Sequence, residues 1–181
     1  GSSRILKLMN RRYTRERYLE LVEEARSKVP GIAITTDIIV GFPGETEDDF
    51  EQTLSLVDEA RFAQAFTFIY SKRAGTPAAE IDDPTPREVI QGRFDRLVKH
   101  VESTAYDFNQ GALHTVVPVL IEGTSKKDEH MLQGKSPWNQ TVHAPVPAGF
   151  DPRSLVGRVI DVRVDVARTW YLSGETVSDP R

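Results

Sequence analysis

Along the first part of the chain apolar residues recur at helical spacing, interrupted by two short apolar runs. Residues 4–11 carry Ile5, Leu6, Leu8 and Met9 and predict a short helix. Thr14 follows as an N-cap whose hydroxyl accepts from an orphan N–H. Tyr18, Leu21, Val22 and Ala25 then share one helical face, and Pro30-Gly31 stops the helix. Residues 32–42 predict a strand whose second half, Ile38-Ile39-Val40, is apolar on both faces, as in a buried parallel strand covered by helices. Gly41-Phe42-Pro43-Gly44 turns the chain and Thr46 caps the next helix. Glu47, Asp48 and Asp49 fill its first turn, where the macrodipole favours negative charge. Phe50, Leu54 and Val57 form its buried stripe, and residues 65–70 predict a second strand, reached by a right-handed crossover.

A loop over residues 71–84 leads to Thr85-Pro86-Arg87-Glu88, which reads as a cap, a proline at the first helical position and a capping-box glutamate. Ile90, Phe94, Leu97, Val101, Ala105 and Phe108 then keep one apolar face as far as Asn109, and Gly111 ends the helix. Beyond Leu113 the period changes to that of strands, expected over residues 115–121, 131–135, 141–144, 159–166 and 168–172. Ile160, Val162, Val164 and Val166 alternate with Asp161, Arg163 and Asp165, giving one wet face. Short strands separated by Gly and Pro turns predict a small all-β barrel, with a tail that frays after Val177. The expected fold is therefore an α/β part over residues 1–113 and a small barrel over residues 114–178. Two strands make a sheet that needs cover. It leans on the long helix, self-associates through its exposed edge, or comes from a longer protein.

Hydrophobic residues make up 39% of the chain and charged residues 28%, ordinary values for a globular protein. The net charge of −4 leaves nucleic-acid contact to a local patch. No apolar run approaches bilayer length and no signal-peptide core is present, so no membrane partner is expected. The absence of cysteine excludes disulfides, thiolate metal sites and cysteine nucleophiles, and makes a cytoplasmic setting the default. His114, His130 and His143 show no metal-ligand spacing, and no metal residue is assigned.

Candidate chemistry centres on the turn after the first strand. In α/β sheets ligands bind where strands end, and Gly41 and Gly44 allow close backbone approach. Asp37 puts a charge inside an otherwise apolar strand and needs a partner if buried. From the residues alone this is a tight turn with a wet aspartate, or an acid–base pair formed by Asp37 and Glu45.

Three ordered blocks change that balance. They are Arg4 to Thr14 (RILKLMNRRYT), Thr36 to Thr46 (TDIIVGFPGET) and Phe68 to Ala79 (FIYSKRAGTPAA). Together they resemble the radical-SAM methylthiotransferases, closest to those that methylthiolate C2 of N6-dimethylallyladenosine next to the anticodon of tRNA. Even Gly1-Ser2-Ser3 fits the family's segment before the first block, and the resemblance covers essentially the whole chain. It implies the C-terminal part of a radical-SAM (β/α) domain, a partial barrel, followed by a small TRAM (OB-like) β-barrel that grips tRNA. It also implies S-adenosylmethionine and two [4Fe–4S] clusters in the parent protein. The cysteines for both clusters are missing here, so no cluster and no catalytic residue are expected in this chain, which should be inactive by itself.

The resemblance assigns roles only to residues that are present. Arg11 stands at the family's Met-x-Arg arginine and would pair with the S-adenosylmethionine carboxylate. Ile39 and Gly41 match the Gly-x-Ile-x-Gly-x-x-Glu signature that lines the adenine, although Asp37 replaces its first Gly and Glu45 falls one place late. Tyr70 and Ser71 end the last barrel strand and would line the same pocket. Arg73 and Thr76, in the loop that follows, would face the adenosine substrate. In the tail Lys126, Lys127 and Lys135 would meet phosphates and Trp138 would stack on a base. That region carries seven Lys/Arg and seven Asp/Glu between Thr115 and Val177, so the patch would be local. Two alternatives stay open: a non-catalytic RNA-binding module, and a relative of the same family acting on a different tRNA base or on a ribosomal protein.

Overall fold

Ser2 opens the first unit with two hydrogen bonds. Its hydroxyl accepts from the Ile5 N–H as N-cap of helix α1 (Ser3–Leu8) and donates to Asp49 at 2.6 Å. Helix α1 is shorter than residues 4–11, because Asn10 turns left-handed at φ 58°. The computed structural model describes all residues from Gly1 to Arg181, which divide into units Gly1–Thr104 and Ala105–Arg181. No helix is long and apolar enough to cross a membrane.

Thr14 caps helix α2 (Arg15–Lys28) as its sequence predicts. The buried face of α2 is narrower than the pattern suggests: Val22 is buried, but Leu21 is 46% exposed. Strand β1 (Thr35–Val40), helix α3 (Glu47–Ala60) and strand β2 (Gln64–Ile69) follow, and the strands pair in parallel from Thr35 opposite Gln64 to Val40 opposite Ile69. Thr46 and Asp49 form a reciprocal capping box at the start of α3. Ile38 and Val40 enter the core with Phe50, Leu54 and Val57.

The other face of β1 corrects the expectation of a strand covered on both sides. Ile39 is 38% exposed there, beside Phe66 at 55% and Phe68 at 50%, because the sheet has only two strands and a single helical layer. The loop after β2 holds a 3-10 turn at Pro77–Glu80, and helix α4 (Arg87–Gln110) follows. Thr85 does not cap α4 as expected. Its hydroxyl donates to Asp83 at 2.6 Å, while the Ile90 N–H reaches the Pro86 carbonyl.

The second unit is a closed barrel. Strands β3 (Val116–Ser125), β4 (Asp128–Lys135), β5 (Thr141–Pro145), β6 (Val159–Ala167) and β7 (Leu172–Thr176) lie in the order β3-β4-β5-β7-β6, with β6 returning to β3. Only β5 and β7 run parallel, through two residue pairs. The strand expected at residues 168–172 instead starts at Leu172, because the Arg168 N–H closes a turn on the Tyr171 carbonyl at 2.9 Å. Val166 also departs from its expected inward position. A bulge between Val164 and Val166 shifts the pleat by one, leaving Val166 exposed and Ala167 buried. The tail does not fray: the Arg181 N–H bonds to the Val159 carbonyl, and its guanidinium pairs with Asp161. Gly134 makes closure possible, since a Cβ there would stand 2.3 Å from the Leu120 carbonyl oxygen.

Asp49 ties α1 to α3. Burial pushes its carboxyl pKa up, but hydrogen bonds from Arg4, Ser2 and Thr46 prevail and hold it well below the ordinary value. A depressed folded-state pKa stabilises the fold above about pH 4, and this contribution fades as pH falls further. Asp49→Asn is expected to lower stability by about 2 kcal/mol at pH 7, with the gap to the parent chain narrowing at pH 3. Urea melts at the two pH values measure it; an equal gap at both would show that the charge of Asp49 is not the stabilising element.

Candidate functional site

The turn after β1 is built around a buried carboxylate. Gly41 takes φ 70°, and a Cβ on it would lie 2.6 Å from Ile90 of α4, so only glycine brings the strand end this close to the helix. The Gly41 N–H donates to Glu45 Oε2 at 2.8 Å. Glu45 is 5% exposed and Arg93, arriving from α4, is 6% exposed. Arg93 Nη1 donates to the Glu45 carbonyl at 2.9 Å and lies 3.5 Å from its carboxylate; Nε donates to Glu47 at 3.0 Å. Burial raises the Glu45 carboxyl pKa, and the Gly41 N–H and the Arg93 charge oppose that rise. Gly44 N–H reaches Asp83 at 3.2 Å, which draws the later loop onto the turn.

A cavity of about 130 Å³ lies beside β1, with Ile5, Leu6, Met9, Arg11, Tyr13, Thr36, Asp37 and Ile39 among its walls. Complete small-molecule sites hold roughly 300 Å³ or more, so this cavity is smaller than such a site. Of the residues expected to bind cofactor, Arg11 and Ile39 line the cavity, whereas Gly41, Tyr70 and Ser71 are not in its walls. Gly41 is engaged by Glu45. Tyr70 stands edge-on to Phe42 at 5.1 Å between centroids, and its N–H bonds to the Val40 carbonyl. Ser71 and Arg73 are exposed, and the Arg73 carbonyl accepts from the Thr76 hydroxyl at 2.8 Å, closing a turn. Asp37 and Glu45, the other reading's acid–base pair, both line this cavity, but Glu45 is held by the Gly41 N–H and paired with Arg93, while Asp37 lies exposed on the open sheet.

On the barrel the four expected RNA-contact residues fall into two places. Lys126 and Lys127 occupy the β3–β4 turn. Lys135 ends β4, where its Nζ donates to Thr141 at 3.0 Å, and Trp138 follows in the β4–β5 loop, 37% exposed. Seven steps along β4 separate the two groups by about 24 Å at 3.4 Å per residue. No group of three or more His, Cys, Asp or Glu side chains is gathered in a way that could hold a metal.

Two buried polar residues on α4 escaped the sequence reading. One is Arg93. The other is Asn109, 6% exposed, whose amide donates to the carbonyls of Arg168 at 2.7 Å and Thr169 at 3.0 Å and accepts from Gln140 at 2.9 Å. The signal was their spacing: Arg93 lies three after Ile90 and four before Leu97, and Asn109 four after Ala105, on the apolar stripe itself.

Comparison with known proteins gives these features a context. Residues 1–57 match the Radical SAM superfamily. The chain is similar to proteins named tRNA-2-methylthio-N(6)-dimethylallyladenosine synthase from three bacteria. Identity is 46% with that of Acetivibrio thermocellus, across 98% of this chain and 36% of the relative. It is 45% with that of Alkaliphilus oremlandii, across 99% and 37%. It is 47% with that of Geobacillus kaustophilus, across 99% and 33%. The resemblance to the radical-SAM methylthiotransferases is thereby shown over nearly the whole chain, which spans about a third of the length of these relatives.

Removing one partner of a buried ion pair leaves the other charge uncompensated. Arg93→Met is expected to cost about 3 kcal/mol, and adding Glu45→Gln to it should recover part of that loss. A double-mutant cycle by chemical denaturation measures the coupling; strict additivity would mean that the two side chains act independently.

Proposed function

We propose that this chain is part of a radical-SAM enzyme that methylthiolates C2 of N6-dimethylallyladenosine beside the anticodon of tRNA, in the cytoplasm. The carrying observation is identity of 45–47% to synthases of that name across 98–99% of the chain. The first unit then supplies one part of a (β/α) barrel. Its parallel strands, its bare inner face with Phe66 and Phe68, and a cavity too small for a complete site support that reading. In such a parent the bare face is covered by further chain, or by a second copy.

The residues around the cavity fit S-adenosylmethionine. Arg11 offers a guanidinium to a carboxylate, Ile5, Leu6 and Ile39 offer apolar walls, and Asp37 offers an acceptor to hydroxyl or amino groups. Gly41 takes part by fixing the turn, and Tyr70 and Ser71 by ending the neighbouring strand. Bound together with a reduced cluster, this cofactor supplies radical chemistry. The chain has no cysteine to hold a cluster, so in the proposed parent the iron is held elsewhere and this chain is inert alone. The reading frame upstream is expected to carry six cysteines in two sets of three, and iron–sulfide reconstitution of this polypeptide is expected to give no cluster absorbance. A stable brown protein, or an upstream frame without cysteines, would contradict the assignment.

The second unit reads best as a TRAM-type RNA grip, a five-stranded OB-like barrel of the kind that presents strand faces and loops to oligonucleotides. Arg73 and Thr76 of the first unit would face the substrate adenosine, and Lys126, Lys127, Lys135 and Trp138 would contact the anticodon arm. The barrel closes within this chain, so its RNA binding can be tested without catalysis. Affinity for tRNA is expected to fall steeply between low and moderate salt through counterion release, and electrophoretic mobility shifts measure it. A salt-independent complex would remove phosphate contact as the driving interaction.

A further inference from the structure

The barrel carries a surface at the opposite end of β4 from the Lys126–Lys127 turn. Both tryptophans of the chain, Trp138 and Trp170, lie on it, in the β4–β5 and β6–β7 loops. Trp170 is 51% exposed, Tyr171 40% and Trp138 37%. Tyr171 stands edge-on to His143 of β5 at 5.7 Å. Large flat side chains left this open to water at one end of the barrel are not needed to close it. Its core is made by other residues, with Leu132, Ile160 and Leu172 among them.

The register puts the two loops at the same end of the barrel. Lys135 pairs with Thr141, and the adjacent Val142 pairs with Leu172, so the strand ends that launch the two loops are neighbours in the β4-β5-β7 sheet. Asn109 then fixes the loops to one another: its amide donates to the Arg168 and Thr169 carbonyls, and its carbonyl accepts from Gln140. The Gln110 amide adds a bond to the Ala167 carbonyl at 3.0 Å. The aromatics are thus presented on braced backbone, and a ligand need not order it.

Charge is distributed to match. Residues 131–145 and 166–174 contain no Asp or Glu, while they hold Lys135, Arg168 and His143. All seven acidic residues between Thr115 and Val177 lie outside these two segments. The two segments thus carry two cations and no carboxylate, while the other five Lys and Arg and all seven Asp and Glu between Thr115 and Val177 lie elsewhere. Aromatic faces stack on nucleobases, and interleaved cations track a phosphate backbone. Duplex, whose bases are already stacked, does not offer free faces to such a platform.

We infer that the Trp138–Trp170–Tyr171 end of the barrel is a stacking platform for unpaired bases of single-stranded RNA, with Lys135 and Arg168 on the adjoining phosphates. This rests on the RNA-binding reading of the barrel and moves its centre away from the Lys126–Lys127 turn.

The test uses the 181-residue chain with a short labelled single-stranded RNA, the matching duplex, and tRNA. Anisotropy of the RNA gives affinity. Tryptophan emission reports the platform alone, because the chain has no other tryptophan. Single-stranded RNA is expected to quench that emission and to bind more tightly than duplex. Trp170→Leu and Tyr171→Leu, at exposed positions, should keep the far-ultraviolet circular dichroism of the parent and each weaken binding about tenfold. RNA binding at parental affinity in the two aromatic variants, or saturation without quenching, overturns the platform but leaves the barrel as an RNA grip. Equal quenching and affinity with duplex overturn base stacking. No binding to any of the three RNAs overturns both the platform and the RNA-binding reading.

Discussion

A carboxylate taken out of water must be matched by hydrogen bonds and opposite charge, and Glu45 is placed so that three elements supply them. Gly41 at the end of β1 donates its N–H, Arg93 of α4 brings the charge, and Glu47 at the start of α3 holds Arg93 from its other side. The turn therefore has one geometry rather than several. Gly41 meets Ile90 across a gap that only a hydrogen fits, and the walls of the neighbouring cavity inherit that position. A glutamate that looks available for acid–base work is instead the fixed point from which strand and helix are aligned.

The barrel solves the same problem without charge. Asn109 fills a buried position at the end of α4, and its amide meets three partners at hydrogen-bond distance. A neutral amide loses less on leaving water than an ion does, which suits a position that fastens loops rather than the turn after β1. No buried side-chain nitrogen or oxygen in the chain lacks a partner. Both hubs work because no buried side-chain polar atom they bring inside is left without a partner.

Local chemistry was legible in the sequence, and long-range partnership was not. Thr14 and Thr46 cap where a hydroxyl before an apolar stripe says they should, and the two-residue period marks the barrel strands. Thr85 shows the limit: an equally good local signal lost to Asp83, two residues away, which offered a charged acceptor. A single bulge near Asp165 was enough to turn Val166 outward, since a period of two has no memory beyond an inserted residue. Ile39 reads as buried because its sequence is that of a strand with two neighbours, while the chain itself provides one sheet face with cover. Arg93 and Asn109 sat on an apolar stripe in plain view. Their meaning depended on residues some 48 and 59 positions away along the chain, which no local pattern encodes.

The seam between β5 and β7 is held by only two residue pairs, Val142 with Leu172 and His143 with Ser173, the fewest of any junction in the barrel. Breathing of the barrel therefore starts along this line, where fewest ladder bonds must break. The loops carrying the exposed rings spring from its two sides. A molecule spanning both loops would act as a clasp across the weakest junction, so that occupancy raises the barrel's resistance to heat in proportion to ligand concentration. Recognition and durability would then be one equilibrium read in two ways.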